Sequence, residues 1–377
     1  MNNSVLIVGA GPVGLALALA LKRSGLAPTL VDARPAGAGD EDKRVLALAH
    51  GSRQTLEKLR AWPETGWTPI ESIHVSQRGA LGRTEIRATE QGLPALGYVC
   101  PAATLTRSLA ARAAMEGIFV EQNCFIESST ASTDRITAFA RDGREFASQL
   151  LACCEGGTGP EETGLIRHDY AQHALIATLT VESPHRGVAY ERFTPEGPLA
   201  LLPHGRDFAL VWTMSPDEAS RRLALSESAF LAEQQSAFGS RVRFLAATER
   251  TSFPLALQAR LNPAAPRKVS LGNAAQTLHP VAGQGFNLAL RDVWTLAETL
   301  HGGEDAGEPG RLARYARGRQ LDRIATVGFT DSLVRLFSND DLLLRHLRGA
   351  GLLALDLFAP ARKFIARRMI YGARAWP

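Results

Sequence analysis

VSLGNAAQTLHPVAGQGFNLALRDVWTLAE, residues 269–298, decides how the rest of the chain is to be read. Val269 and Leu271 form a short apolar run that meets Gly272, which reads as a strand entering a turn. The segment that follows, with Pro280, Gly283 and Gly285, breaks helical periodicity, and that periodicity resumes from Asn287. Glycines at 283 and 285 let the backbone take positive φ and present bare N–H groups. Those groups lie ahead of a helix whose N-terminus carries partial positive charge, so the stretch is expected to hold an anion. A glycine-rich turn that merely caps a helix would leave the same pattern.

The N-terminus tips the balance. Ser4 to Gly9 is a buried-strand run, Gly9-Ala10-Gly11-Pro12-Val13-Gly14 is a G-x-G-x-x-G pattern, and Leu15 to Arg23 is helical. Pro28 to Asp32 then gives a second strand that ends in a carboxylate. Gly9 suits the tight turn, Gly11 the approach of a pyrophosphate, Gly14 the packing of helix on strand, and Asp32 a ribose hydroxyl. Strand, glycines, helix, strand and acid in this order point to a dinucleotide; a ligand-free βα turn is the plain alternative.

With GAGPVG near the start and GNAAQTLHPVAGQGFNLALRD near the end, the chain resembles the FAD-dependent aromatic hydroxylases, the class A flavin monooxygenases. Within them it is most similar to the branch that hydroxylates polyprenylated phenols in ubiquinone biosynthesis. Arg44-Val45-Leu46-Ala47-Leu48, AYERFTPEGPLALLP (189–203) and TDSLVRLF (330–337) support the likeness, which runs from Ser4 to about Ala366. The resemblance implies noncovalent FAD held by Gly9, Gly11, Pro12, Gly14, Asp32, Ala33, Arg34, Arg44 and Arg107 on one side. On the other it implies Gly272, Asn273, Pro280, Gly283, Gln284, Gly285, Phe286 and Asn287. It further implies NAD(P)H as a transient co-substrate and O2 as the source of the oxygen added to the ring. The chain departs from the family pattern at Asn273, where Asp is usual, and at Gln276, where His is usual. It also carries Cys154-Glu155-Gly156 in place of Ala-Asp-Gly, followed by a tight loop expected at Gly157-Thr158-Gly159-Pro160.

The expected fold is α/β: a Rossmann-like FAD-binding lobe (1–72, 97–166 and 266–330), a β-sheet substrate lobe inserted into it (73–96 and 167–265), and a C-terminal helical segment (331–377). Strands are expected around the turn Arg78-Gly79, a helix over Pro101 to Glu116, and strands over Ile118 to Val120, Ser132 to Ala140 and Glu145 to Leu151. Asp142-Gly143 marks a hairpin. Alternating runs at Ala174 to Glu182, Val188 to Phe193, Leu199 to Leu202 and Phe208 to Met214 read as a sheet, and Pro216 to Phe238 as one helix. Tyr190, Phe193 and Trp212 are candidate substrate-pocket residues, although aromatic residues on strands are often plain core. His279 and Pro280 are the candidate catalytic pair facing the flavin; His279 reads as acid, base or spacer, with no sequence neighbour to fix its tautomer.

A chain of 377 residues, 45% of them hydrophobic, is long enough for two lobes. No internal repeat, signal peptide or spanning helix is evident, which points to the cytosol, peripheral to the inner face of the membrane at most. The four cysteines, Cys100, Cys124, Cys153 and Cys154, lack C-x-x-C spacing, so metal and disulfide chemistry are not expected. Residues 335–377 hold eight Arg or Lys against three Asp, a net of +5 in a chain whose total is +4. Apolar clusters alternate with that charge, which suits an anionic membrane surface or acidic partner, or equally a packed helix pair with a solvated basic face. Other ubiquinone-biosynthesis proteins or a lipid carrier are the expected partners; nucleic acid is not. A different flavin oxidoreductase and a non-catalytic FAD-binding scaffold remain open alternatives.

Overall fold

Every residue of the strand Val5–Val8 is buried, as a central parallel strand covered on both faces must be. The computed structural model describes residues 4–79, 82–156, 164–337 and 342–372. Val5–Val8 pairs in parallel with Pro28–Val31 on one side and with Leu150–Cys153 on the other. Val120–Glu121 extends this sheet beyond Pro28–Val31, and Lys268–Ser270 extends it beyond Leu150–Cys153. The order reverses between Val5–Val8 and Leu150–Cys153, which makes the carboxyl end of the first strand a topological switch point. The helix Pro12–Arg23 is buried all round, between the sheet and the helices Ala102–Met115 and Gln284–Leu300, with Leu15, Leu17, Leu19 and Leu21 in the core. Each stabilises the lobe by roughly 1.5–3 kcal/mol. The helix Gln284–Leu300 packs beside it through Leu290, Val293 and Leu296.

A second, larger sheet holds Ser72–Gln77, Arg83–Arg87, Leu165–Val181, Val188–Phe193, Pro198–His204, Asp207–Met214 and Thr251–Arg260. Its two halves join where Val188–Phe193 runs parallel to Ser72–Gln77, so the excursion before the helix Ala102–Met115 belongs to the same sheet as the later strands. Gln276–Thr277 pairs with Gln258 and Ala259 on the edge of this sheet. The late stretch is therefore a seam between the lobes, and a boundary at 266 does not divide them cleanly. Val45–Ala49, Gly97–Pro101 and Thr68–Ile70 make a small antiparallel sheet between the two large ones.

Several expected elements differ in detail. The helix expected over 216–238 is two, Pro216–Leu223 and Glu227–Phe238, because Ser226 turns out of the helix and caps the second one by accepting from the Ala229 N–H. The run expected as one strand over 145–151 splits at Gln149, with Glu145–Ser148 in a three-stranded meander and Leu150–Cys153 in the parallel sheet. Of the run expected over 132–140 only Ile136–Ala140 is strand; residues 132–135 form a turn, in which Ser132 Oγ accepts from the Arg135 N–H, that joins it to the antiparallel strand Ile126–Ala131. The late helix starts at Gln284, ahead of the expected Asn287, so Gly285 is helical and only Gly283 takes positive φ, +60°. The loop expected at 157–160 lies outside the described residues.

Candidate functional site

The G-x-G-x-x-G turn crosses the carboxyl end of the first strand. Gly9 has φ +101°, and a Cβ on it would lie 2.7 Å from the Glu155 backbone nitrogen. A Cβ on Gly14 would lie 1.9 Å from the Gly9 carbonyl oxygen, so the helix rests directly on the turn. Gly11 is different: nothing lies within 4 Å of a Cβ there. Pro12, which has no N–H, fills the first helical position, and the next N–H groups open toward the space beside Gly11. The result is a concave helix N-terminus at the switch point, with the geometry and partial charge to hold a pyrophosphate.

Asp32 is buried, and its carboxylate accepts hydrogen bonds from the Ala10 N–H (2.7 Å), the Arg34 N–H (2.8 Å) and the Arg34 guanidinium (3.0 and 2.8 Å). Burial raises its proton affinity, but the bonds from Arg34 and Ala10 outweigh that and hold the group below the usual carboxylate range. Asp32 thus ties the glycine turn to the following loop, and the half-exposed Arg34 fork lies on the oxygens expected to meet a ribose. Ala33 is exposed beside them. Arg44 lays its fork on Asp42 (2.9 and 2.7 Å), and Arg107 reaches Asp40 at 3.3 Å. Both arginines flank the same loop and both are largely exposed.

The late stretch meets the glycine turn. A Cβ on Gly272, whose φ is +59°, would lie 3.0 Å from Val13 Cγ2, which puts the turn Gly272–Ala274 against the first helix and leaves Asn273 exposed. Gln276 is buried, donating to Asp292 Oδ2 (2.8 Å) and accepting from Arg323 Nε (2.9 Å), while Arg319 binds the other oxygen of Asp292 at 2.6 Å. An amide has both a donor and an acceptor, so glutamine can bridge a carboxylate and a guanidinium inside the protein. The departure from histidine at this position has a structural account.

His279 does have a local partner. The Val281 N–H donates to His279 Nδ1 at 3.2 Å, which leaves the proton on Nε2. That Nε2 is buried with no hydrogen-bond partner among the described residues, and burial pushes the imidazole pKa down to about 4. A neutral ring is a donor or a spacer at physiological pH, and not an acid in imidazolium form. Pro280 precedes the turn Val281–Gly283, and Gly283 starts the helix, whose first N–H groups belong to Gln284, Gly285 and Phe286. The Asn287 side chain is fully used within the protein. Its oxygen accepts from the Ala49 N–H (2.8 Å) and Ser52 Oγ (2.7 Å), and its amide donates to the carbonyls of Ala47 (2.9 Å) and Gly283 (2.7 Å). These bonds leave the side chain no free group to offer a cofactor, so a contact from Asn287 falls to its backbone, and the side chain clamps the late loop to the strand that follows Arg44.

Of the three pocket aromatics, the structure brings only Phe193 to the late loop, where it packs with Val281 and Val334, and with Val75, Tyr170 and Leu333 at their margin. Tyr190 and Trp212 are corrected to core. Side chains alternate across a strand, so Tyr190 faces away from Phe193's neighbour Glu191 and packs against Phe208 and Phe238. Trp212 is 0% exposed, with the Arg222 guanidinium 4.1 Å from its ring. Sequence reading missed Tyr170, whose ring stands edge-on to His279 at 5.3 Å and whose hydroxyl donates to Asp331. It also missed Glu191, although period-two alternation from Phe193 already set that residue on the cleft face.

The C-terminal helices, Leu342–Leu357 and Ala359–Tyr371, pack one face inward through Leu352, Ala366 and Ile370. Two of the basic residues serve that packing: Arg362 pairs with Glu90 (3.0 and 2.8 Å), and Arg348 donates to the Leu336 carbonyl. The other face exposes Leu353, Leu357, Phe358 and Phe364 next to exposed Lys363 and Arg367. An apolar cavity of about 70 Å³, lined by Ala47, Ile73, Ile86, Gln284, Ala366 and Met369, lies between the strand after Arg44 and the last helix. All four cysteines are buried and free, and no cluster of metal-ligating side chains occurs among the described residues.

The family model described as FAD binding domain matches residues 2–329. Ubiquinone hydroxylase UbiL of Rhodospirillum rubrum is 33% identical over 390 residues, covering 99% of this chain and 90% of that protein. The 3-demethoxyubiquinol 3-hydroxylase of Escherichia coli is 29% identical, covering 94% and 95%. The fold is similar to that of Klebsiella pneumoniae HpxO complexed with FAD and uric acid, with a TM-score of 0.76 at 16% identity, covering 99% of this chain and 97% of that one.

Proposed function

We propose, from the premise that this chain belongs to the FAD binding domain family and is a flavin-dependent hydroxylase of ubiquinone biosynthesis, that its substrate is a polyprenylated phenol. NAD(P)H and O2 are its co-substrates. One observation carries the reading: the late stretch touches the glycine-turn helix at Gly272, beside Val13, and the apolar face of the large sheet at Val281, beside Phe193, so the nucleotide turn and that face meet along it. FAD, when bound, supplies the redox chemistry, taking hydride from the nicotinamide and passing the electrons to O2.

The residues of this chain fit that group. Gly9, Gly11 and Gly14 shape the pyrophosphate site, and Asp32 takes a ribose hydroxyl once the Arg34 fork moves aside. Arg44 and Arg107 exchange their aspartates for phosphate oxygens, a trade that suits a guanidinium fork. Gly272 and Asn273 lie against the first helix and offer the ribityl chain polar groups without added negative charge. His279 and Pro280 line the ring end, and the buried face formed by Phe193, Val281 and Val334 keeps water away from it.

The apolar cavity beside Ile86 and Met369 is the start of a path for the isoprenoid tail, which is too long for an ordinary pocket. It leads toward the last helix. The outer face of that helix pair, apolar with Lys363 and Arg367 beside it, docks on an anionic membrane surface or on a lipid-carrying partner in the same pathway. No helix among the described residues is long and apolar enough to cross a membrane. The reading is tested by the flavin spectrum and NAD(P)H consumption of the purified protein with and without a prenylated phenol. Stimulated consumption with a hydroxylated product is expected; flavin reduction indifferent to any phenol would refute it.

A further inference from the structure

The cleft face of the large sheet carries one ionisable side chain along its central row. In register, Val75 pairs with Glu191, Glu191 with Ala200, Ala200 with Val211, and Val211 with Ile176. Side chains of paired residues point to the same side of a sheet. All five are partly exposed, whereas the flanking positions are packed. Phe193 closes one flank against Val281 and Val334; Ala189 closes the other against Ile70 and Val99, with Val45 alongside. The row is the floor of a cleft between the strand that follows Arg44 and the loop that follows Pro280.

Glu191 is out of place on such a floor. Its Oε1 is buried with no hydrogen-bond partner among the described residues. A carboxylate with one oxygen buried and unpartnered costs free energy. Burial pushes its pKa up to about 7, where a carboxyl both accepts and releases protons at physiological pH.

We propose that Glu191 accepts the proton of the substrate's phenolic hydroxyl as the ring is attacked. The O–H bond of the phenol breaks with its electron pair left on oxygen, a new O–H bond forms on the Glu191 carboxylate, and the negative charge passes to the ring. The phenolate is the more electron-rich nucleophile toward the oxygen donor. This assignment rests on the phenol reading given above. The groups that face Glu191 from the surrounding elements are otherwise occupied. His279 is neutral, and Tyr170, its pKa raised chiefly by burial, donates to Asp331, which Arg335 also holds at 2.8 Å. The strands Val45–Ala49 and Thr68–Ile70 contribute no titratable side chain.

The test uses the FAD-loaded enzyme and its Glu191→Gln variant, which has nearly the same volume and no charge. Hydroxylation is expected to fall by about 10²-fold or more, with NAD(P)H still consumed and H2O2 released, and the rise of kcat/KM through about pH 7 is expected to vanish. A nitrophenol serves as an optical probe of binding without turnover. Wild type should take it up as phenolate at a lower pH than the variant does, and Glu191→Asp should restore part of both signals. A Glu191→Gln enzyme with the rate, pH profile and probe ionisation of an active wild type would overturn the role of Glu191 alone. A wild type that loads FAD and hydroxylates no phenol would overturn the functional reading and this role together.

Discussion

Replacing Asn287 by leucine tests whether one side chain holds the late loop in place. Asn287 is 1% exposed and makes all four of its hydrogen bonds to the protein, at 2.7–2.9 Å. Leucine has a similar size and none of those groups. The Ala49 N–H and the Ser52 hydroxyl lose their buried acceptor, at roughly 1–3 kcal/mol each, and the bonds to the Ala47 and Gly283 carbonyls go with them. Added apolar burial returns roughly 1–2 kcal/mol, so the net loss is expected near 3 kcal/mol, read by urea unfolding. Ser52→Ala alone should cost about 1 kcal/mol, and the double variant should be no worse than Asn287→Leu, because the stranded hydroxyl is removed with its partner. FAD affinity should fall together with stability, since the loop and the strand after Arg44 are released from each other. A loss below about 1 kcal/mol, or strict additivity with Ser52→Ala, would refute the clamp.

Gly11→Val should fold and lose FAD, because its side chain enters open space, whereas Gly14→Ala should lose both fold and FAD, because its Cβ would lie 1.9 Å from the Gly9 carbonyl; circular dichroism beside flavin content separates the two, and FAD retained by folded Gly11→Val contradicts the assignment. Glu191 has a folded pKa raised from 4.5 to about 7, so its contribution to stability is full at acid pH and is lost as pH rises through about 7. Glu191→Gln should therefore be more stable than wild type by about 2–3 kcal/mol near pH 8, with little difference near pH 4; denaturant curves with the same gap at both pH values would contradict this. Neutralising Lys363 and Arg367 should weaken binding to anionic liposomes at low salt by roughly 1 kcal/mol per charge while turnover of a short-chain phenol survives, whereas Arg362→Gln should lower stability by breaking its pair with Glu90. Liposome binding unchanged in the first variant sinks the docking face.

What the sequence made legible was set by short-range chemistry. The glycine turn, the first strand and helix, the hairpin at Asp142-Gly143 and the helix from Ala102 depend on neighbours within a few residues, and the structure has them where the pattern puts them. What it hid depends on partners far away in the chain. The four bonds of Asn287 include three to residues 235–240 positions earlier. Period-two alternation separates Tyr190 from Phe193 correctly, but which face meets the late loop is shown only by the packing of Phe193 with Val281, and nothing near Trp212 announces the Arg222 cap on its ring. Local signals were also passed over: Ser226 is a helix cap in plain sight, and the Val281 N–H that fixes the tautomer of His279 lies two residues on. The C-terminal basic excess was real, but Arg348 and Arg362 are buried, which composition cannot reveal.

The proposed reaction joins oxygen from O2 to a phenol ring in this cleft. It is tested most directly by supplying the FAD-loaded protein with NAD(P)H, a short-chain prenylated phenol and isotopically labelled O2, and analysing the product by mass spectrometry. A hydroxylated phenol that carries one labelled oxygen atom is expected. An unaltered phenol with all consumed O2 recovered as H2O2, or a product whose new oxygen came from water, would contradict it.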